Sequence, residues 1–366
     1  MYDRGMAASH DPASGPLVAP SGSGSLPAPD SGTDESTNAD LLSDVLKAVR
    51  LSGALFFAID ATSPWIAEIP SATLISPLIL PGARHLISYH VVTEGVGWGG
   101  LSGEPATQFE AGDVLVVPHG DPYVLSSSAN MRPELPLEAN LEFFKQLVAG
   151  ELPFILEDGG GGPDGLRLVC GFLGCEPLPL NPILSALPRW VHLRRPNAAT
   201  GDHLTHLIAF ALDEGRENRA GGDCVRLRLS ELLFIEVVRQ YLEALPSEQT
   251  GWLASLRDPV VGRALRLLHR QPAHPWTLEE LARRAGLSRS VLAGRFTRLL
   301  GQPPMRYLTR WRLQVAAGLL GDGAGKVAAV GREVGYDSEA AFSRAFKNAV
   351  GLPPSAWRAR RADRGG

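Results

Sequence analysis

A repeat with a period of fifty residues near the C-terminal end constrains this chain more than any other feature. Phe296, Gly301, Pro303, Pro304 and Tyr307 recur as Phe346, Gly351, Pro353, Pro354 and Trp357, and Ser288 recurs as Ser338. A recurring set of turn and core residues implies two copies of one supersecondary unit. In the first copy Thr277, with Glu280 three residues on, makes a capping box ahead of LEELARRA, and Gly286 supplies a left-handed turn. SRSVLAGRFTRLL then predicts a second helix. Leu292, Phe296 and Leu299 form its core face, and Arg289, Ser290, Ala293 and Thr297 lie on the other side. Ala282, four residues before the turn, is small where the helices must cross. In the second copy these roles pass to Gly331, Gly335 and SEAAFSRAFKNAV. There Phe342 and Phe346 point inward, and Glu339, Ala340, Ser343, Arg344 and Lys347 point outward. The second turn is one residue longer, since Gly286 to Phe296 spans ten positions and Gly335 to Phe346 eleven. Between the copies MRYLTRWRLQVAAGLL carries a stripe of Leu308, Trp311, Val315 and Leu319, and reads as one strut helix.

Charge agrees with a helix-turn-helix reading. From Arg257 onward there are 20 Lys and Arg against 8 Asp and Glu, a net of +12, whereas the rest of the chain carries −16. The C-terminal third is therefore the part suited to a polyanion. No run of about 18 apolar residues is present and the start carries Asp3 and Arg4, so neither a membrane span nor a signal peptide is expected. A cytoplasmic protein follows from that reading. The three cysteines, Cys170, Cys175 and Cys224, are too few for a disulfide framework.

Residues 256–361 resemble the DNA-binding domain of the AraC/XylS family of bacterial transcriptional regulators. The phrases LEELARRAGLSRSVLAGRFTRLLGQPPMRYLTRWRL and REVGYDSEAAFSRAFKNAVGLPPSAWR carry the resemblance. It implies sequence-specific binding to double-stranded operator DNA, activation or repression with RNA polymerase as a partner, and a homodimer. Paired recognition helices on a rigid strut would enter successive major grooves about 34 Å apart. The base-reading positions carried over from the family are Ser290, Ala293 and Gly294 on the first helix, and Glu339, Ala340, Ser343 and Arg344 on the second. Ser288 and Ser338, where these helices begin, are also expected among the DNA-binding residues. Arg289, Arg298, Arg310, Arg312 and Lys347 are expected at phosphates, which position without specifying. Ala293 and Gly294 offer no side-chain hydrogen bonds, so the second helix is expected to carry more of the sequence reading, with Arg344 the candidate for a bidentate contact to guanine.

The fold class expected for the whole chain is α+β with several domains. Residues 1–38, rich in Ser, Gly, Pro and Asp, read as a disordered tail. Residues 39–195 read as a cupin-like β-barrel that senses an effector. A helix opens this stretch on Leu41, Leu42, Val45, Leu46 and Val49, and short strands follow at LFFAI, TLISPLIL, HLISYHVV, DVLVVP and GLRLVCGFL. Residues 196–250 read as a helical connector of two helices. The second is apolar around Leu229, Leu232, Leu233, Ile235 and Val237, which fits either a core helix or a dimerisation helix.

The cupin resemblance rests on two spacings. Gly82 leads to Ser88, His90 and Glu94, and Gly112 leads to Pro118, Gly120 and Tyr123. Of four metal-ligand positions only His90 and Glu94 keep the usual residue type, so no metal and no cofactor are expected unless His85 or His119 substitutes. The preferred reading is a site for a small organic effector near His90, Glu94, His119 and Tyr123, or a barrel kept as a scaffold. No catalytic residues are expected. The alternatives are a metal-dependent cupin enzyme with a DNA-binding tail and a thiol-based redox sensor using Cys170 and Cys175. Five positions apart on a straight strand, those two cysteines face opposite sides roughly 16 Å apart.

Overall fold

The computed structural model describes residues 41–43, 45–46, 51–83, 85–129, 131–132, 135–175, 182–195, 203–216, 219–246, 249–323 and 325–362. The expected tail over 1–38 lies outside the described residues. So does most of the opening helix, of which 41–43 and 45–46 are helical.

Among the described residues the N-terminal half builds a curled sheet of nine strands: β1 (Leu51–Thr62), β2 (Ile66–Ile69), β3 (His85–Leu101), β4 (Thr107–Glu110), β5 (Val114–Val117), β6 (Tyr123–Ser126), β7 (Ile155–Gly159), β8 (Gly165–Cys175) and β9 (Val191–Leu193). The path runs β2-β6-β3-β8-β1-β7, with β4 and β5 also on β3 and β9 on β5. Strand β3 makes the curl, because its first half pairs with β8 and β5 while its second half pairs with β4 and β6. Both faces of β8 are buried, which is why GLRLVCGFL reads as an unbroken apolar run. Leu166, Leu168, Cys170 and Phe172 point into the curl with Phe57, Phe109, Leu115 and Tyr123. Val169, Leu173 and Cys175 point outward, with Ile87, Tyr89 and Val91 of β3.

One expected strand is a helix. All of TLISPLIL but its last residue lies in α1 (Ala72–Ile79), capped by Ser71 accepting from the Thr73 amide, and buries Ile75 and Ile79 into the curl. A short apolar run has no periodicity to separate the two states, and here the cap and the Pro81-Gly82 stop decide it. Helix α2 (Leu137–Ala149) was not anticipated. It begins after Pro136, ends on the left-handed Gly150, and adds Phe144 and Leu147 to the same core.

A short helix α3 (Pro182–Ala186) follows β8, and then the connector, α4 (His203–Arg216) and α5 (Gly222–Ala244). Leu233, Phe234 and Val237 of α5 cover the outer face of the sheet. The neighbouring face of the pair stays open, with Phe210 50% and Leu232 49% exposed.

The remainder is all helical: α6 (Trp252–Leu256), α7 (Pro259–Arg270), α8 (Leu278–Ala285), α9 (Arg289–Leu300), α10 (Pro304–Gly321), α11 (Val327–Glu333), α12 (Glu339–Val350) and α13 (Pro354–Ala362). The strut, α10, is wider-sided than its expected stripe. Tyr307, Leu308 and Trp311 complete the core of the first unit, and Leu313, Ala316, Ala317 and Leu320 complete the core of the second. Val315 and Leu319 are only partly buried at the margins. Among the described residues no helix is long and apolar enough to cross a membrane.

Candidate nucleic-acid interface

Each recognition helix starts where its sequence dictates. Thr277 Oγ1 accepts from the Glu280 amide at 3.1 Å, Gly286 turns the chain with φ 79°, and Ser288 Oγ accepts from the Val291 amide to open α9. In the second unit Gly335 turns with φ 87° and Ser338 Oγ accepts from the Ala341 amide to open α12. Such a cap is worth about 1 kcal/mol. Small residues sit at both crossings: Ala282 is buried, and a side chain on Gly331 would meet the Phe342 ring at 3.1 Å. An aromatic pair recurs at each core. Phe296 meets Tyr307 edge-on at 5.7 Å and 73°, and Phe346 meets Trp357 at 6.2 Å and 70°.

The two helices therefore present matching faces. Leu292 and Phe296, and fifty residues on Phe342 and Phe346, are fully buried. Ser288, Arg289, Ser290, Gly294 and Arg298 are exposed on α9, with Ala293 half-buried beside them. Ser338, Glu339, Ala340, Arg344 and Lys347 are exposed on α12, with Ser343 half-buried. Arg289, Arg298, Arg344 and Lys347 make no ion pair with a carboxylate among the described residues, so their charge stays available to a polyanion. Gly294 has nothing within 4 Å of a notional side chain, leaving a flat patch on α9 where α12 carries Arg344. Val291, not singled out from sequence, is 51% exposed on the same face of α9. Its spacing of three from Gly294 and seven from Arg298, both exposed, was the available signal.

Arg295 and Arg312 are among the cations spent on the fold. The Arg295 guanidinium pairs with Asp258 at 2.7 Å, and the other oxygen of that carboxylate caps α7. Arg312, expected at a phosphate, is half-buried and donates to three carbonyls: Pro272 at 2.6 Å, His274 at 2.8 Å and Gly335 at 3.2 Å. The first two lie in the loop before α8 and the third in the turn of the second unit, so Arg312 stitches the units together. Arg310, expected with it, is exposed and unpaired among the described residues.

Similarity to known proteins agrees with this geometry. Residues 40–243 match the family model described as Cupin, and residues 281–360 match the one described as Helix-turn-helix domain. An AraC-like transcription regulator of Streptomyces antibioticus is 39% identical over 206 residues, 55% of this chain and 67% of that protein. A HTH-type transcriptional regulator of Haemophilus influenzae is 32% identical over 270 residues, 74% of this chain and 85% of that one. The chain belongs to the AraC-like transcriptional regulators. The HTH-type transcriptional regulator AlkR of Acinetobacter baylyi is 27% identical over 321 residues, 87% of this chain and 99% of AlkR.

In the cupin-like half of this AraC-like regulator, the four candidate effector residues do not converge. His90 and Tyr123 meet inside the curl, where His90 Nε2 is 2.6 Å from the Tyr123 hydroxyl and Nδ1 is 3.0 Å from Cys170 Sγ. Both ring nitrogens are thus engaged, and burial pushes the imidazole down to about 3, holding it neutral. Glu94 leaves this group. On a straight strand it would share a face with His90, but the register shift between Val92 and Glu94 turns it outward. There it is 64% exposed and pairs with Arg167 at 2.7 Å. His119 is exposed and bonds the Leu187 carbonyl at 2.9 Å, and His85 bonds the Pro118 carbonyl. Among the described residues no group of three or more His, Cys, Asp or Glu is placed to hold a metal.

Cys170 and Cys175 are free thiols on opposite faces of β8, one in each core, as their spacing implies. Burial pushes both thiols up, Cys175 to about 12, which favours the protonated thiol over the thiolate.

Proposed function

We propose that this AraC-like regulator reads an operator with α9 and α12 in neighbouring major grooves, and that α12 supplies most of the sequence preference through Arg344. The observation carrying this reading is the matched exposure of two capped helices locked to one strut. Arg289, Arg298 and Lys347 serve phosphates, while Ser290, Ala293, Gly294, Glu339, Ala340 and Ser343 face base edges. Arg312 is assigned to the protein fold instead.

A small-molecule effector acts on the N-terminal half and alters operator occupancy or contact with RNA polymerase. The homodimer is assigned to the face of α4 and α5, where Phe210 and Leu232 stand half exposed. The protein acts in the cytoplasm.

Fluorescence anisotropy with a labelled duplex, repeated from low to high salt, tests the central claim. Affinity should fall steeply with salt and recover on a selected sequence. Absence of salt-sensitive binding to any duplex would overturn it.

A further inference from the structure

The middle of the exposed face of α9 is nearly empty of hydrogen-bonding groups, and the fold does not require this. Gly294 sits inside the helix with nothing within 4 Å of a notional side chain. Glycine is the poorest helix former after proline, so a larger residue would fit there and would stabilise α9. A glycine that neither a turn nor a packing contact explains marks a place where something outside the chain approaches the backbone closely.

The neighbours of Gly294 share its character. Val291, three positions earlier on the same face, is 51% exposed, and Ala293 is half-buried beside it. The Ser290 hydroxyl lies 3.3 Å from that of Ser288, the residue that caps the helix, so part of its hydrogen bonding is used within the chain. Thr297, the next exposed hydroxyl, is a further turn along, whereas helices of this kind meet base edges with their N-terminal residues. Val291, Ala293 and Gly294 therefore make a flat apolar strip. Fifty residues on, Ser343 stands in the place of Ala293 and Arg344 in that of Gly294, and both can donate. The two recognition helices share a scaffold and differ in chemistry.

The major groove offers such a strip a matching apolar group, the 5-methyl of thymine, among base edges that otherwise present donors and acceptors. A polar edge pressed against Val291 would lose its water without gaining a partner. We propose that α9 selects thymine: Val291 packs on the 5-methyl group, and Gly294 lets the helix come near enough to the groove floor for that contact. The inference rests on the operator reading above and gives the α9 half-site its base preference, in contrast to the guanine contact assigned to Arg344. An operator read in this way is asymmetric, with a thymine-bearing half under α9 and a guanine-bearing half under α12. That asymmetry fixes which way round the chain lies on the duplex.

The test starts with the full-length protein selecting its preferred duplex from a random pool. Each thymine of that operator is then replaced singly by uracil, which removes the methyl group and keeps every hydrogen-bonding group. Fluorescence anisotropy should show at least one uracil weakening binding about fourfold, the value of one buried methyl group. At the same position 5-methylcytosine, opposite guanine, should bind about fourfold more tightly than cytosine. Neither comparison needs a variant. Val291→Ala should distinguish the thymine operator from the uracil operator by less than about twofold, because the pair whose coupling is measured has lost one member. Gly294→Leu should melt no lower than wild type, since open space surrounds the position. It should nevertheless bind the operator at least about tenfold more weakly, because the new side chain holds the helix off the groove floor. Circular dichroism checks that both variants are folded. Tight, salt-sensitive operator binding that is indifferent to uracil at every thymine overturns this inference alone. So does unchanged uracil sensitivity in folded Val291→Ala, or wild-type affinity in Gly294→Leu. Absence of salt-sensitive binding to any duplex would instead be the failure of the operator reading, and would take this inference with it.

Discussion

Replacing Arg312 separates two roles that a basic residue on a DNA-binding helix can play. Its guanidinium donates to the carbonyls of Pro272, His274 and Gly335 at 2.6, 2.8 and 3.2 Å. Hydrogen bonds from a charged donor contribute about 1.5–3 kcal/mol each, but the site is half-buried and water can replace part of the loss. Arg312→Ala should therefore cost about 3 kcal/mol in the DNA-binding half. With about 1–3 kcal/mol per molar as the urea dependence of a small unit, the midpoint should fall by roughly 1–3 M. Arg312→Lys should recover less than half, since one ammonium cannot span three separated carbonyls. The second measurement is the salt dependence of duplex binding below the unfolding range. A phosphate contact, when removed, lowers the slope of log affinity against log salt by about 1. Arg312→Ala should leave that slope unchanged. An unaltered urea midpoint with a slope reduced by one would refute the stitch and return Arg312 to the phosphate backbone.

Gly335→Ala should destabilise the second unit by about 2–4 kcal/mol in the same urea assay, because φ is 87° and the new carbon would lie 2.8 Å from the Ala273 carbonyl oxygen. Arg344→Ala should flatten preference among operator variants by about 1–3 kcal/mol while leaving affinity for random duplex nearly intact; a uniform loss on all sequences would show a phosphate contact only. Buried His90 and His269 are both held at about 3, well below the unfolded value of 6.5. Stability is then fully present above pH 6.5 and falls as pH drops toward 3, by about 1.4 kcal/mol per pH unit for each histidine, because only the unfolded chain takes up the proton. Denaturant titrations at several pH values should show His90→Gln and His269→Gln each reducing that dependence.

The DNA-binding half was legible because its punctuation is local. Thr277, Gly286, Ser288, Pro304, Gly335 and Ser338 each act within one turn of chain, and each stands at the boundary its residue type demands. Arg312 was misassigned because its partners are distant in sequence: Pro272 and His274 lie forty and thirty-eight positions away. The cupin-like half was harder for the same reason. The run around Pro77 satisfies either state, and α2 was hidden within an apparently strand-rich stretch, although Pro136, Gly150 and the Leu141, Phe144 and Leu147 spacing marked it. On an ideal strand His90 and Glu94 would share a face, whereas one shifted position in β3 reverses the outcome. Periodicity does not report such irregularities, because they depend on the pairing strand.

A helix whose two ends each close a different core leaves no hinge between them. With Tyr307 and Trp311 committed to one side of α10 and Ala317 and Leu320 to the other, flexing the strut would open both interiors at once. If α9 and α12 occupy neighbouring grooves as proposed, the strut sets a fixed pitch between them, and any discrepancy with the groove spacing falls on the duplex. Operators that bend or twist easily between the two half-sites should be favoured, even at base pairs no side chain touches.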